Sequence, residues 1–138
     1  MILNEMVNYD LLTLVNILLH SSYQFILLRT ISMTLNMDGC SWITEKKDDK
    51  CRDAALKILT WIQDNNGYLE LVDISQPNFD ETDDFDAEFI FNRWDLVEQW
   101  IKSNVEKIGE KIQRSEYERK SEVIILLELI LSNVMSNS

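Results

Sequence analysis

One stretch, from Leu56 to Val72, restricts the fold more than any other part of the sequence, because its apolar residues change period within it. Up to Ile62 they recur at helix spacing, and from Tyr68 onward they alternate with polar residues as in a strand. Asn65-Asn66-Gly67 lies between the two patterns. Glycine adopts a positive φ without a Cβ clash, and asparagine tolerates it better than most residues. We therefore predict that a helix ends here, with Gly67 as its left-handed stop, and that the chain then turns.

Helix-breaking residues are scarce in the chain. Its 138 residues include 3 glycines and 1 proline, which favours long helices over many short strands. This length is typical of a single domain, residues 1–138, and is sufficient to bury a core without disulfides or metal. The sequence therefore predicts a compact, mainly α-helical domain.

The net charge of −11, from 24 acidic and 13 basic residues, restricts the partners. An acidic surface repels phosphate, which disfavours nucleic acid and anionic membranes. It suits a basic or amphipathic protein partner, although solubility alone also explains an acidic surface. The apolar runs Leu11–Leu19 and Val123–Leu131 are too short to cross a bilayer, so we expect no membrane span.

The cysteines and the N-terminus indicate the compartment. Cys40 and Cys51 form no Cys-x-x-Cys pair and no disulfide framework, which is typical of reduced thiols inside a cell. A signal peptide would have basic residues before its apolar run, and no basic residue precedes the first apolar run of this chain. We therefore expect a cytoplasmic protein.

Three segments carry helix spacing besides the stretch before Gly67. The first is Leu11–Leu19, apolar on nearly all sides, with Asn8 or Asp10 as its cap and His20 at its end. The others run from Trp94 to Ile112 and from Val123 to Val134. Ser115 and Glu118 have the spacing of a capping box before the last helix.

Two segments have strand-like patterns. Alternation from Ile31 to Met37, then Asp38-Gly39 and Cys40–Thr44, predicts a hairpin near 31–44. The competing interpretation is a helix ended by Gly39. A second hairpin near 68–91 would pair Tyr68–Ile74 with Ala87–Phe91, and an all-α bundle is the alternative to both hairpins. Glu45–Asp49 is interpreted as a charged connector, with Asp48 or Asp49 capping the helix that follows.

No motif indicates catalysis. The sequence has no glycine-rich phosphate loop and no serine or cysteine in a nucleophile context, and His20 is its one histidine. Ile62–Asp73 has part of the spacing of a calcium loop, but Ile62 occupies the place of the first carboxylate. The acidic run Asp80–Asp86 lacks the glycine bend of such a loop. We expect no metal, no cofactor and no enzymatic activity.

Leu96 and Trp100 are the candidate partner-binding residues. They share a side of the Trp94–Ile112 helix that is displaced from the apolar stripe of Ile101, Val105 and Ile108. Tryptophan is enriched among the residues that dominate protein interfaces. The competing interpretation is a helix packed on both sides, with both residues inside the protein.

The nine residues from Thr60 to Tyr68 resemble the second homology motif of the B-cell-lymphoma apoptosis regulators. That motif has a Trp-Ile-Gln-Asp/Glu-Asn-Gly-Gly-Trp core, in which Asn66 and Tyr68 here replace a glycine and a tryptophan. The resemblance implies an all-helical bundle whose groove holds an amphipathic death-motif helix. The family's first motif, Asn-Trp-Gly-Arg, is absent, and half of the chain follows a motif that in the family lies near the end of the domain.

These features predict a non-enzymatic acidic protein that binds and neutralises or sequesters a protein partner. Immunity proteins, antitoxins and viral antagonists of host factors have such compositions, which is an inference by association. A homodimer is compatible with the same features. The alternatives are an apoptosis regulator of the B-cell-lymphoma family and a metal-dependent enzyme.

Overall fold

The computed structural model describes residues 2–70 and 84–136, which form four helices. They are α1 (Glu5–Thr34), α2 (Asp38–Asp64), α3 (Ala87–Arg114) and α4 (Lys120–Met135). These two ranges contain no β-strand. The prediction of a mainly α-helical fold is confirmed.

The helices form a bundle in which each helix runs antiparallel to its two neighbours. α1 packs against α2 and α3, and α4 packs against the same two helices from the other side. Five side-chain contacts fix these directions: Arg29–Glu45, Gln24–Arg93, Lys111–Asp10, Lys47–Val134 and Arg119–Asn65. α2 and α3 therefore run in the same direction, and the connection from residue 65 to 86 returns the chain to the opposite end of the bundle.

α1 is the longest helix, with 30 residues, and it is longer than its apolar run predicts. Ser21 and Ser22 do not interrupt it, because Ser21 donates to the Ile17 carbonyl and Ser22 to the Asp48 carboxylate. An 18-residue window of α1 has a mean hydropathy of 1.6, so the helix is long and apolar enough to cross a membrane. This window is 56% buried, and the core helix of a bundle meets the same criterion. The absence of a membrane span stays a prediction.

The predicted hairpin near 31–44 is wrong. α1 continues to Thr34, and the turn that follows places Asn36 at φ 57° and bonds the Met37 amide to the Ser32 carbonyl at 2.8 Å. The alternating polar residues fit the helix because Ser32 and Thr34 each donate to the carbonyl four residues earlier. Asp38-Gly39 opens α2, so the competing helical interpretation was nearer, although Gly39 is not its stop.

The second predicted hairpin, near 68–91, is also not observed in its described part. Ala87–Phe91 is the first turn of α3, capped by Asp86, whose carboxylate accepts from the Phe89 amide at 2.9 Å. Residues 68–70 form no strand, and residues 71–83, including the Asp80–Asp83 part of the acidic run, lie outside the described ranges.

Helix starts were predicted less well than helix existence. Asn4 caps α1, in place of Asn8 or Asp10, by accepting from the Val7 amide at 3.2 Å. Ser115 is the last cap of α3, where its hydroxyl donates to the Ile112 carbonyl at 2.6 Å. The capping-box prediction is therefore wrong, and α4 begins after Arg119 without a side-chain cap.

The connector predicted at Glu45–Asp49 is part of α2. Asp48 and Lys47 are both buried inside the bundle, so neither Asp48 nor Asp49 begins a helix. A run of charges is normally solvated, whereas here two of its five residues are buried.

The predicted helix end at Asn65-Asn66-Gly67 is confirmed, but the role of Gly67 is corrected. Asn66 is the left-handed residue, at φ 59°, and Gly67 has no positive φ. Glycine is required at 67 for space, because a Cβ there would collide with the side chains of Asn8 and Ile62. The Asn8 amide group accepts from the Tyr68 amide at 2.9 Å and donates to the Tyr68 carbonyl at 3.0 Å. The turn is thereby fixed to α1.

Candidate protein-binding surface

The outer side of α1 is apolar and uncovered along its second half. α2 and α3 cover two sides of this helix, and the remaining arc recurs at helix spacing on the surface. Its exposed residues are Leu19, Tyr23, Ile26, Leu27 and Met33. Because α1 is apolar all round, the arc presents hydrophobic side chains where a surface helix would present polar ones.

Leu96 and Trp100 lie on the edge of α3 beside this arc. Arg93, on the same edge, donates to Gln24 of α1 at 3.1 Å. Trp100 packs edge-on against His20, with 6.3 Å between ring centroids. Leu96 is 40% exposed, as a residue on a partner surface would be. Trp100 is half-buried, which lies between the two interpretations, a partner surface and the inside of the protein. We name the arc together with these two residues the α1/α3 face.

The α1/α3 face has no formal charge along α1 between Leu11 and Leu28. Charged pairs flank the uncharged stretch at both ends. Lys111 reaches Asp10 at 3.2 Å, and Arg29 reaches Glu45 at 3.5 Å. The whole chain has a net charge of −11, but this uncharged stretch carries no charges that would repel a partner of like charge.

A buried lysine connects α2, α3 and α4. The Lys47 ammonium donates to the Val134 carbonyl at 2.8 Å and pairs with Glu98 at 2.9 Å, and its side chain is 1% exposed. The Trp94 indole donates to the same Glu98 oxygen at 2.5 Å. α4 has no basic residue in its last turn, so Lys47 supplies the positive charge that a helix C-terminus favours.

A groove opens where α4 ends. α4 has 16 residues, against 27 in α2 and 28 in α3, so the first turns of both longer helices extend beyond it. The space between them has a volume of about 600 Å³. We name it the α2/α3 groove; its walls include Met37, Cys40, Ile43, Phe91 and Trp94.

The residues that resemble the apoptosis-regulator motif lie at the opposite end of the bundle. Thr60–Asp64 form the last turn of α2, and Asn65 and Asn66 line a second cavity of about 560 Å³. Tyr117 also lines this cavity, and burial raises the pKa of its hydroxyl.

The thiols differ in their environments. Burial raises the pKa of the Cys51 thiol to about 12, whereas Cys40 is half-exposed and accepts from the Ser32 hydroxyl at 3.3 Å. Within residues 2–70 and 84–136, no three His, Cys, Asp or Glu residues are grouped so that they could hold a metal ion.

Sequence analysis missed both the uncovered arc of α1 and the groove. The arc could not be found from hydrophobicity because every side of α1 is apolar. The groove depends on the length difference between helices that are distant in sequence. No family model, no curated protein and no solved structure matches this chain.

Proposed function

We propose that this chain is a non-enzymatic acidic protein that binds and sequesters a protein partner through the α1/α3 face. The observation that supports the proposal is the arc of exposed apolar residues Leu19, Tyr23, Ile26, Leu27 and Met33 beside Leu96. The exposed fractions of these six residues range from 40% to 58%. The largest patch on a typical monomer is about 300–600 Å² and is often functional.

The charge distribution favours a basic partner with an apolar centre. The arc provides apolar surface that a partner can cover and shield from water. The net charge of −11 gives the surrounding protein a long-range negative electrostatic field. Steering by such a field raises the association rate and is screened by salt. The expected association is therefore faster at low ionic strength, with an affinity set mainly by the apolar centre.

The experiment compares the parent with Tyr23→Asp and with the control Leu129→Asp. Leu129 is an equally exposed apolar residue on α4, away from the α1/α3 face. Proteins captured from the native cell are quantified by mass spectrometry. We expect at least one protein that binds the parent and Leu129→Asp but is lost with Tyr23→Asp. A set of captured proteins that does not differ among the three baits would contradict the proposal.

The second candidate function is an apoptosis regulator of the B-cell-lymphoma family. It is favoured by the motif-like residues at the end of α2. It predicts that amphipathic death-motif peptides bind the chain at micromolar or lower concentration. Titration of such peptides, followed by tryptophan fluorescence, tests it, and unchanged fluorescence up to about 0.1 mM would remove it.

A further inference from the structure

The α2/α3 groove occupies the place of a missing length of helix. α4 lies between α2 and α3 and ends where Val134 meets Lys47. α2 extends beyond Lys47 by more than two helical turns, back to Asp38. The groove begins at Ile43, one turn beyond Lys47, so it continues the line of α4.

The walls of the groove are apolar and accessible. Phe91 is 55% exposed, and Ile43 and Trp94 are half-buried beside it. Gly39 also lines the groove, and a Cβ at this position would meet no atom within 4 Å. The space beside Gly39 is therefore open.

The rim of the groove is acidic. Among the described residues that line it, three carry carboxylates and none is a lysine or arginine. Lys47 neutralises Glu98, which leaves the carboxylates of Asp38 and Asp95 as the net charge of the rim. The Asp95 carboxylate accepts from the uncharged Gln99 amide at 2.7 Å.

α4 shows what fills the same line farther along the bundle. Its buried residues are Val123, Leu127, Ile130 and Val134, which are spaced by four, three and four positions. A second helix that continues the direction of α4 would pack against α2 and α3 as α4 does. It therefore needs aliphatic residues at the spacing found in α4.

We propose that the α2/α3 groove binds a short amphipathic helix of a partner protein, which continues the line of α4. Aliphatic side chains of this helix lie against Phe91 and Ile43, and its lysine or arginine side chains meet Asp38 and Asp95. The groove and the α1/α3 face lie on different sides of α3, so this proposal does not rest on the proposed function.

A displayed library of helical peptides, each about fourteen residues long, provides the probe. Leu, Ile or Val is placed at the spacing found in α4, and the flanking positions vary among Lys, Glu and Ser. Selection on the full chain should enrich lysine at the flanking positions. Dissociation constants of enriched peptides are then measured with the parent, Gly39→Gln, Tyr23→Asp, Leu129→Asp and the double variant Asp38→Asn with Asp95→Asn.

Gly39→Gln adds a side chain at a wall of the groove, where a Cβ would meet no atom within 4 Å, and we expect it to weaken binding by about tenfold or more. The double variant should weaken it by about threefold to tenfold and reduce its salt dependence. Leu129→Asp should bind as the parent does. Circular dichroism checks that each variant is folded.

Three results would overturn the proposal. The first is no enrichment of any peptide, and the second is enrichment of glutamate at the flanking positions. The third is that enriched peptides bind Gly39→Gln as tightly as the parent. If those peptides are lost instead with Tyr23→Asp, they occupy the α1/α3 face and the groove assignment is wrong.

Discussion

Gly67→Ala tests how the end of α2 is fixed to α1. A Cβ at this position would collide with Asn8 and Ile62 and lie 2.9 Å from a Leu3 methyl group. Asn8 is fully buried, and its two hydrogen bonds hold the backbone of Tyr68 at 2.9 and 3.0 Å. The added methyl must displace the Asn8 amide, so both hydrogen bonds lengthen or break.

The expected cost combines two effects. Overpacking a filled site costs about 1–3 kcal/mol, and weakening buried hydrogen bonds costs about 1 kcal/mol each. Because partial relaxation reduces the sum, we expect Gly67→Ala to lower the free energy of unfolding by about 2–4 kcal/mol. For a chain of this length, the melting temperature should fall by roughly 6–15 °C.

Urea denaturation followed by circular dichroism measures this cost, with Asn66 variants as controls. Asn66→Gly keeps the positive φ and should change stability by less than about 0.5 kcal/mol. Asn66→Ala keeps a Cβ in the left-handed region but removes the short polar side chain that makes asparagine tolerant of it, and should cost about 1 kcal/mol. If Gly67→Ala is as stable as the parent, close packing is not the reason for glycine at this position.

Three further predictions concern the buried groups and the helices. Lys47→Met leaves the Glu98 carboxylate without its buried partner and should cost about 3–5 kcal/mol by denaturation; adding Glu98→Gln should recover part of this loss, and strictly additive losses would contradict the pairing. Gly109→Ala should raise the free energy of unfolding by about 0.5–1 kcal/mol, because its Cβ would lie at ordinary contact distance from α4; a loss of stability would show overpacking there. At about pH 8, a thiol reagent should modify Cys40 in the folded protein and Cys51 only after unfolding, because burial raises the Cys51 pKa to about 12; rapid reaction of both thiols would refute this.

The presence of long helices could be predicted, but the segment around residues 31–44 could not. Scarce glycine and proline and the apolar stripes of the last two helices are local signals, and they hold in the structure. Alternation at Ser32 and Thr34 indicated a strand, yet both hydroxyls bond to carbonyls inside α1. A serine or threonine whose hydroxyl bonds to a carbonyl of its own helix fits a helix on any side. Its position therefore does not distinguish helix from strand.

The local sequence pattern also could not predict the environment of a residue that packs against a helix distant in sequence. Lys47 stands in a run of charges, and only the position of α4 makes it a buried cap for Val134. Leu96 was predicted as a partner-binding residue because it lies off the stripe of its own helix, and it is 40% exposed. The exposed residues of α1 could not be predicted, since a helix with apolar residues on every side does not show which side remains uncovered.

Trp100→Ala gives the most direct test of the claim that the α1/α3 face binds a protein. Trp100 is half-buried and packs edge-on against His20, so truncation should cost about 1–2 kcal/mol of stability and leave the chain folded. The measurement is the dissociation constant of the captured partner, taken together with the free energy of unfolding. We predict an affinity loss of about 2 kcal/mol, or roughly thirtyfold. An unchanged dissociation constant in the folded variant would contradict the claim.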